Sequence, residues 1–202
     1  MESFEDSFIH LKKDPVMKTL IEKLGESITL EDRYEDDLAK AISQLVIEQQ
    51  VSFKAAITIK KRFHKIIKNL SYLEVIKIET EKLKSIGISY RKVEYIKNVY
   101  SYFIKNEFDF YNEKEDKVVK ELTGIKGIGK WTAEMFLIFI LFKKNIFSKG
   151  DLALINSVKI NYQIDELSEV KLDQIINKWS PFKTIASLLL WKSIEEKIFI
   201  ID

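Results

Sequence analysis

Two prolines and six glycines are all that punctuate 202 residues, and this scarcity of chain breakers limits the possible folds more than any other feature. Sandwiches, barrels and α/β sheets need many tight connections, and those draw on glycine and proline. Apolar residues recur instead at helical spacing. Leu38, Ile42, Leu45 and Val46 make one stripe, and Val93, Ile96, Val99, Tyr100 and Phe103 another. The pattern predicts an all-α fold. With 46% apolar residues the chain can bury the core of one domain or of two small ones.

Local signals place the helices. Asp14-Pro15 suits a helix start, and Gly25 a stop. An acid-rich loop spans 25 to 37, helices follow over 38–50 and from Lys54, and a short helix is expected from Leu73 to Leu83. Ser89 is an N-cap candidate. Lys117 to Leu122 runs into a glycine turn and WTAEMFLIFILF leaves it, which makes a helix-hairpin-helix. DLALINSVKINY, Leu167 to Trp179 and SPFKTIASLLLWKSIEEK complete the set. The run MFLIFILF at 135 to 142 is too short to span a bilayer and reads as a buried helix. Residues 1–10 lack the basic start and apolar core of a secretory signal. With no cysteine, the chain has no disulfide, thiolate zinc site or cysteine nucleophile. His10 and His64 suggest no metal site. The expectation is a soluble intracellular protein.

The net charge of +2 hides an asymmetry. Residues 38–105 hold 14 Lys/Arg against 5 acids, whereas residues 1–37 hold 5 against 11. The basic segment suits a surface that meets a polyanion, or simply a solvated helix face. The same alternatives apply to Lys60-Lys61-Arg62-Phe63-His64-Lys65, with a nuclear address as a third.

GIKGIGKWT, residues 124 to 132, has the glycine and lysine spacing of a phosphate-binding P-loop, but Trp131 stands where the hydroxyl belongs. A P-loop also needs a preceding strand and a parallel sheet, and this chain offers neither. Two readings remain: a packing turn between helices, and an anion site. Closely spaced glycines uncover backbone N–H groups, and the following helix aims its positive dipole end at the same spot. On the second reading Gly127, Gly129, Lys130 and Thr132 contact a nucleic-acid phosphate without reading sequence.

LTGIKGIGKWTAEMF resembles the hairpin of the helix-hairpin-helix DNA glycosylases, and GDLALINSV the segment bearing that family's essential aspartate. LVIEQQVSFKAA, LKSIGISYRKVEYI and WSPFKTIASLLLW are similar, in the same order, to segments of its alkylbase branch, the DNA-3-methyladenine glycosylases. The resemblance covers roughly residues 10 to 192 of one HhH-GPD unit spanning residues 1–202. It implies two helical subdomains, 31–146 with the hairpin at 117–142 and 1–30 packed with 147–202, with an active cleft at their junction. The implied activity is monofunctional hydrolysis of the N-glycosidic bond of alkylated purines in base excision repair. A non-catalytic helix-hairpin-helix DNA-binding protein is the competing class.

The resemblance also assigns residues. Asp151 is the carboxylate that stabilises an oxocarbenium-like transition state; on its own sequence position it reads first as the N-cap of the next helix. Trp131, Met135 and Trp191 line the base pocket, where indole faces attract a positively charged alkylated base, although apolar-helix tryptophans usually lie in cores. Methionine at 135 departs from the aromatic residue of the best-known bacterial branch. Gln49, Gln50 and Val51 resemble the wedge loop that fills the gap left by a flipped base; the other reading is an ordinary break between helices. Relatives that also cut the strand carry a lysine where this chain has Trp131, so no lyase activity is expected. No organic cofactor is implied. A structural Na⁺ or K⁺ would be held by the carbonyls of Thr123, Ile125 and Ile128. The implied partner is double-stranded DNA with damaged bases, bound by a monomer in the cytoplasm, nucleoid or nucleus, without membrane association.

Overall fold

The computed structural model describes residues 4–30 and 33–200, and among these all regular structure is helical. The chain divides into two compact units, Tyr34–Leu141 and the described residues of Met1–Arg33 with Phe142–Asp202. Among the described residues, no helix is long and apolar enough to cross a membrane.

The first unit holds α3 (Leu38–Glu48), α4 (Phe53–Ile67), α5 (Tyr72–Lys77), α6 (Thr80–Lys84), α7 (Tyr90–Lys105), α8 (Glu115–Thr123) and α9 (Lys130–Phe139). Helix α9 is its centre. Every residue from Thr132 to Phe139 is buried, as expected of a helix that is apolar all round. Helix α3 packs between α7 and α9 and buries Ala39, Ile42, Leu45 and Val46. Its start is fixed by the Asp37 carboxylate, which accepts the Lys40 N–H at 3.0 Å and the Tyr72 hydroxyl at 2.9 Å. Burial, then that bond to Asp37, pushes the Tyr72 phenol up to about 12.

The second unit holds α1 (Glu5–Leu11), α2 (Pro15–Leu24), a 3-10 turn (Gly25–Ser27), α10 (Leu152–Asn161), α11 (Glu169–Asn177) and α12 (Lys183–Glu196). Helix α12 packs on both α2 and α10 and buries seven successive residues, Thr184 to Leu190. Trp179, fully buried, packs against Phe147 at a ring-centroid distance of 5.7 Å. A buried polar knot ties α10 to α12. The hydroxyls of Ser157 and Ser193 lie 2.8 Å apart, Asn161 Nδ2 donates to both, and Asn161 Oδ1 accepts the Ile200 N–H at 3.1 Å.

Several boundaries differ from the sequence reading, each for a local reason. The segment Leu73–Leu83 contains two helices, because Ile78 leaves helical geometry (ψ 131°) while Lys97 Nζ takes its carbonyl at 2.7 Å. Helix α9 stops at Phe139, since Leu141 N–H reaches back to Phe136 O and Phe142 turns to φ +50°. Ser168 caps α11 and delays its start beyond Leu167. Helix α1 was not anticipated from the acidic start of the chain.

Asn161→Ala removes one donor group and one acceptor from the buried knot. It should destabilise the fold by about 2–3 kcal/mol, the cost of leaving several buried polar groups unpaired, measured by urea unfolding.

Candidate active site

The turn between α8 and α9 is built on Gly127, at φ +103°. A side chain there would be both strained and blocked, because its Cβ would stand 2.1 Å from Tyr95 Cγ. Gly129 is different: its φ is −94° and a Cβ meets nothing within 4 Å. Gly129 is the N-cap of α9, with no side chain capping that helix. The first turn of α9 thus has no side-chain cap, and the positive end of its dipole lies at the exposed Gly129 and Lys130.

Two helices brace this turn. From α7, Glu94 pairs with Lys126 at 2.6 Å, Asn98 Nδ2 donates to Lys126 O at 3.2 Å, and Tyr95 fills the space beside Gly127. The Glu94 carboxylate raises the Lys126 ammonium above its ordinary range. From the end of α3, Gln49 Nε2 donates to Gly127 O at 3.2 Å and to Thr132 Oγ1 at 2.9 Å. Thr132 is 2% exposed, so its hydroxyl serves this internal bond.

The Gln49 amide thus points inward to the hairpin. Gln50, next to it, is exposed and held at φ +53°, and Val51 is 38% exposed. Of the three wedge candidates, Gln50 and Val51 project outward. Lys92 of α7 steadies the loop by donating to the carbonyls of Ile47 and Gln49. Burial holds its ammonium below the usual lysine range. Nothing in the sequence singled out Lys92 or Tyr95, since their partners lie tens of residues away in the chain.

Trp131 and Met135 share one face of α9, four residues apart; Trp131 is half-buried and Met135 is 1% exposed. The Lys130 side chain is largely exposed, with its Nζ 3.8 Å from Glu134 Oε1. In the turn, the Ile125 carbonyl accepts the Ile128 N–H at 3.0 Å, and Thr123 ends α8, where carbonyls lack intrahelical donors.

The carboxylate belongs to the other unit. Asp151 is the N-cap of α10, and its Oδ1 accepts the Leu154 N–H at 3.0 Å. The same oxygen accepts the indole N–H of Trp191, on α12, at 3.3 Å. Asp151 and Trp191 are therefore brought together, and Trp191 has a polar partner that the pocket assignment did not foresee. Among the described residues, no cluster of three or more His, Cys, Asp or Glu side chains suits a metal ion.

The fold is all-helical, with an uncapped glycine hairpin in one unit and a helix-capping carboxylate in the other. Residues 43–182 match the family described as HhH-GPD superfamily base excision DNA repair protein, and the chain belongs to that family. It is similar to DNA-3-methyladenine glycosylase 1 of Schizosaccharomyces pombe, 29% identical over 92% of this chain and 85% of the relative. Among solved structures, it resembles the S. pombe 3-methyladenine DNA glycosylase in complex with abasic DNA, with TM-score 0.86 and 26% identity, covering 94% of this chain and 97% of that one. DNA-3-methyladenine glycosidase from Bacillus halodurans superposes with TM-score 0.74 at 29% identity, over 98% and 93% of the two chains.

The two glycines separate folding from binding. Gly127→Ala should lose about 1–2 kcal/mol for the positive φ alone, and more for the clash. Gly129→Ala should keep the wild-type unfolding midpoint yet bind duplex DNA more weakly, read by fluorescence anisotropy. Likewise, Gln49→Ala should cost about 1–3 kcal/mol of stability through two lost hydrogen bonds. Gln50→Ala should unfold like wild type while excising bases more slowly.

Proposed function

We propose that this protein is a DNA glycosylase that hydrolyses the N-glycosidic bond of alkylated purines, such as 3-methyladenine and 7-methylguanine, as the first step of base excision repair. The observation that carries the catalytic assignment is the fixed carboxylate of Asp151, tied to one helix by its cap and to another by the Trp191 indole. The family and the named relatives support the reaction class.

A base stacked in a duplex is out of reach, so the nucleotide must be flipped out at a cost of a few kcal/mol. On this reading the N–H groups of Gly129, Lys130 and Thr132, with the turn at Gly127, grip a backbone phosphate. Gln50 and Val51 fill the gap left in the stack, and Gln49 fixes the loop that presents them. As the bond stretches, the sugar gains positive charge, and Asp151 stabilises it electrostatically while water attacks. Trp131 and Trp191 offer indole faces to a base that alkylation has made cationic, an attraction of about 0.5–2 kcal/mol. Met135, almost sealed, backs the Trp131 face. A cationic base also leaves readily, so a loose pocket suffices.

Lys130 lies one residue short of the position that a Schiff-base lysine takes in strand-cutting relatives, and Trp131 occupies that position. The reaction therefore stops at an abasic site. A monovalent cation is assigned to the carbonyls of Thr123, Ile125 and Ile128, a neutral oxygen set suited to a hard, singly charged ion. It would stiffen the turn, and no chemical step depends on it. The enzyme acts on damaged double-stranded DNA as a monomer inside the cell.

Asp151→Asn is the direct test, because asparagine still caps a helix but carries no charge. Wild type and variant are incubated with duplexes containing 3-methyladenine, 7-methylguanine, hypoxanthine or ethenoadenine, and abasic sites are cleaved with alkali. Wild type should release alkylated purines, and the variant should be slower by about a hundredfold or more, with an unchanged unfolding midpoint. Without alkali no strand should be cut, and borohydride should trap no covalent complex. Equal activity of the variant refutes the role of Asp151, and trapping through Lys130 refutes the monofunctional assignment.

A further inference from the structure

The segment that leads to Asp151 is irregular. Between Phe139, where α9 ends, and Leu152, where α10 begins, there is no helix. Few of its backbone groups can therefore be satisfied by their own neighbours, and its path must be set by other elements. Helix α12 sets it. Thr184 N–H donates to Lys144 O at 3.0 Å, Thr184 Oγ1 donates to Lys143 O at 2.6 Å, and the same oxygen accepts the Ile146 N–H at 3.2 Å. Ser187 Oγ adds a longer contact to Ile146 O at 3.5 Å. Seven residues beyond Thr184 on the helix, Trp191 Nε1 reaches Asp151 Oδ1. Positions 184, 187 and 191 lie on one helical face, so a single stripe of α12 follows the segment from Lys143 to the carboxylate.

The stripe does something that the cap cannot. The bond from Leu154 fixes Asp151 relative to α10 alone. The Trp191 bond fixes it relative to α12, and the Thr184 bonds hold the start of its segment on the same helix. Thr184 and Ser187 are 1% and 0% exposed, so breaking their bonds would leave buried polar groups unpaired, which makes the arrangement stiff. From the flank, Lys149 is paired with Asp173 at 2.7 Å and with Glu169 at 3.3 Å, both on α11.

We propose that Thr184 is a positioning residue for catalysis: its buried hydroxyl sets the path of the 143–151 segment on α12 and thereby the place of the Asp151 carboxylate. The proposal rests on Asp151 being the carboxylate of the reaction. Thr184 touches neither DNA nor the reacting atoms in this scheme. Its effect is on the rate of bond cleavage and not on the affinity for DNA.

The test compares Thr184→Val, which keeps the shape and removes the hydroxyl, with Thr184→Ser, which keeps the hydroxyl. Single-turnover excision of 7-methylguanine from a duplex gives the rate, and binding to DNA carrying an abasic analogue gives the affinity. Small misplacements of catalytic groups cost up to about a hundredfold. Thr184→Val should accordingly be about tenfold slower or more, with affinity changed by less than about twofold, and Thr184→Ser should restore the rate. A Val variant with the wild-type rate overturns the proposal, as does a Ser variant equally slow, or a loss of affinity that accounts for the loss of rate. Should the Val variant fail to fold, Thr184→Ala, which also removes the hydroxyl, is judged by the same two readings. Failure of the underlying assignment looks different: Asp151→Asn then excises like wild type. A slow Asp151→Asn beside a fast Thr184→Val refutes the positioning role alone.

Discussion

Helix ends leave backbone groups without partners, and this protein is organised around what satisfies them. At α10 the partner is Asp151, whose Oδ1 takes the Leu154 N–H and the indole N–H of Trp191. A carboxylate that caps a helix is held in one rotamer, and a second donor from another helix fixes that rotamer within the unit. At α9 no side chain caps the start, and the positive end of the helix dipole lies at the exposed Gly129 and Lys130. Capping one helix places a fixed negative charge, and on the proposed function the uncapped helix meets a backbone phosphate.

The hairpin shows how much support such a turn requires. Gly127 takes a backbone conformation that L side chains rarely adopt, with Tyr95 packed where a Cβ would be. Gln49 holds both sides of the turn through Gly127 O and Thr132 Oγ1, and Lys92 holds the carbonyls behind Gln49. The glycine turn and the loop at Gln49 to Val51 are in this way one hydrogen-bonded assembly.

Much of this was legible in the sequence. The caps at Asp14, Ser89 and Asp151 are local, each bonding within three residues, and residue type with spacing suffices to find them. The helical stripes were legible for the same reason, as was the glycine turn. Less legible was the break at Ile78, where a distant group intervenes, since Lys97 takes its carbonyl; the early end of α9 at Phe139 is local, but no glycine or proline marks it. Gln49 was grouped with Gln50 and Val51, since a sequence carries no sign of which of two adjacent glutamines faces in. Thr184 and Ser187 carry no local signal, because their hydroxyls act on a segment about 40 residues away.

The sequence by itself determined an all-helical chain, the capped start of α10 at Asp151 and the glycine geometry of the hairpin, because each depends on interactions within about one helical turn. The tertiary structure decided which side chains those local pieces present to one another. Trp191 meets Asp151 across 40 residues and Gln49 meets Thr132 across 83. Such contacts follow from how helices pack, and packing depends on the whole set of buried surfaces and not on any one stretch of chain.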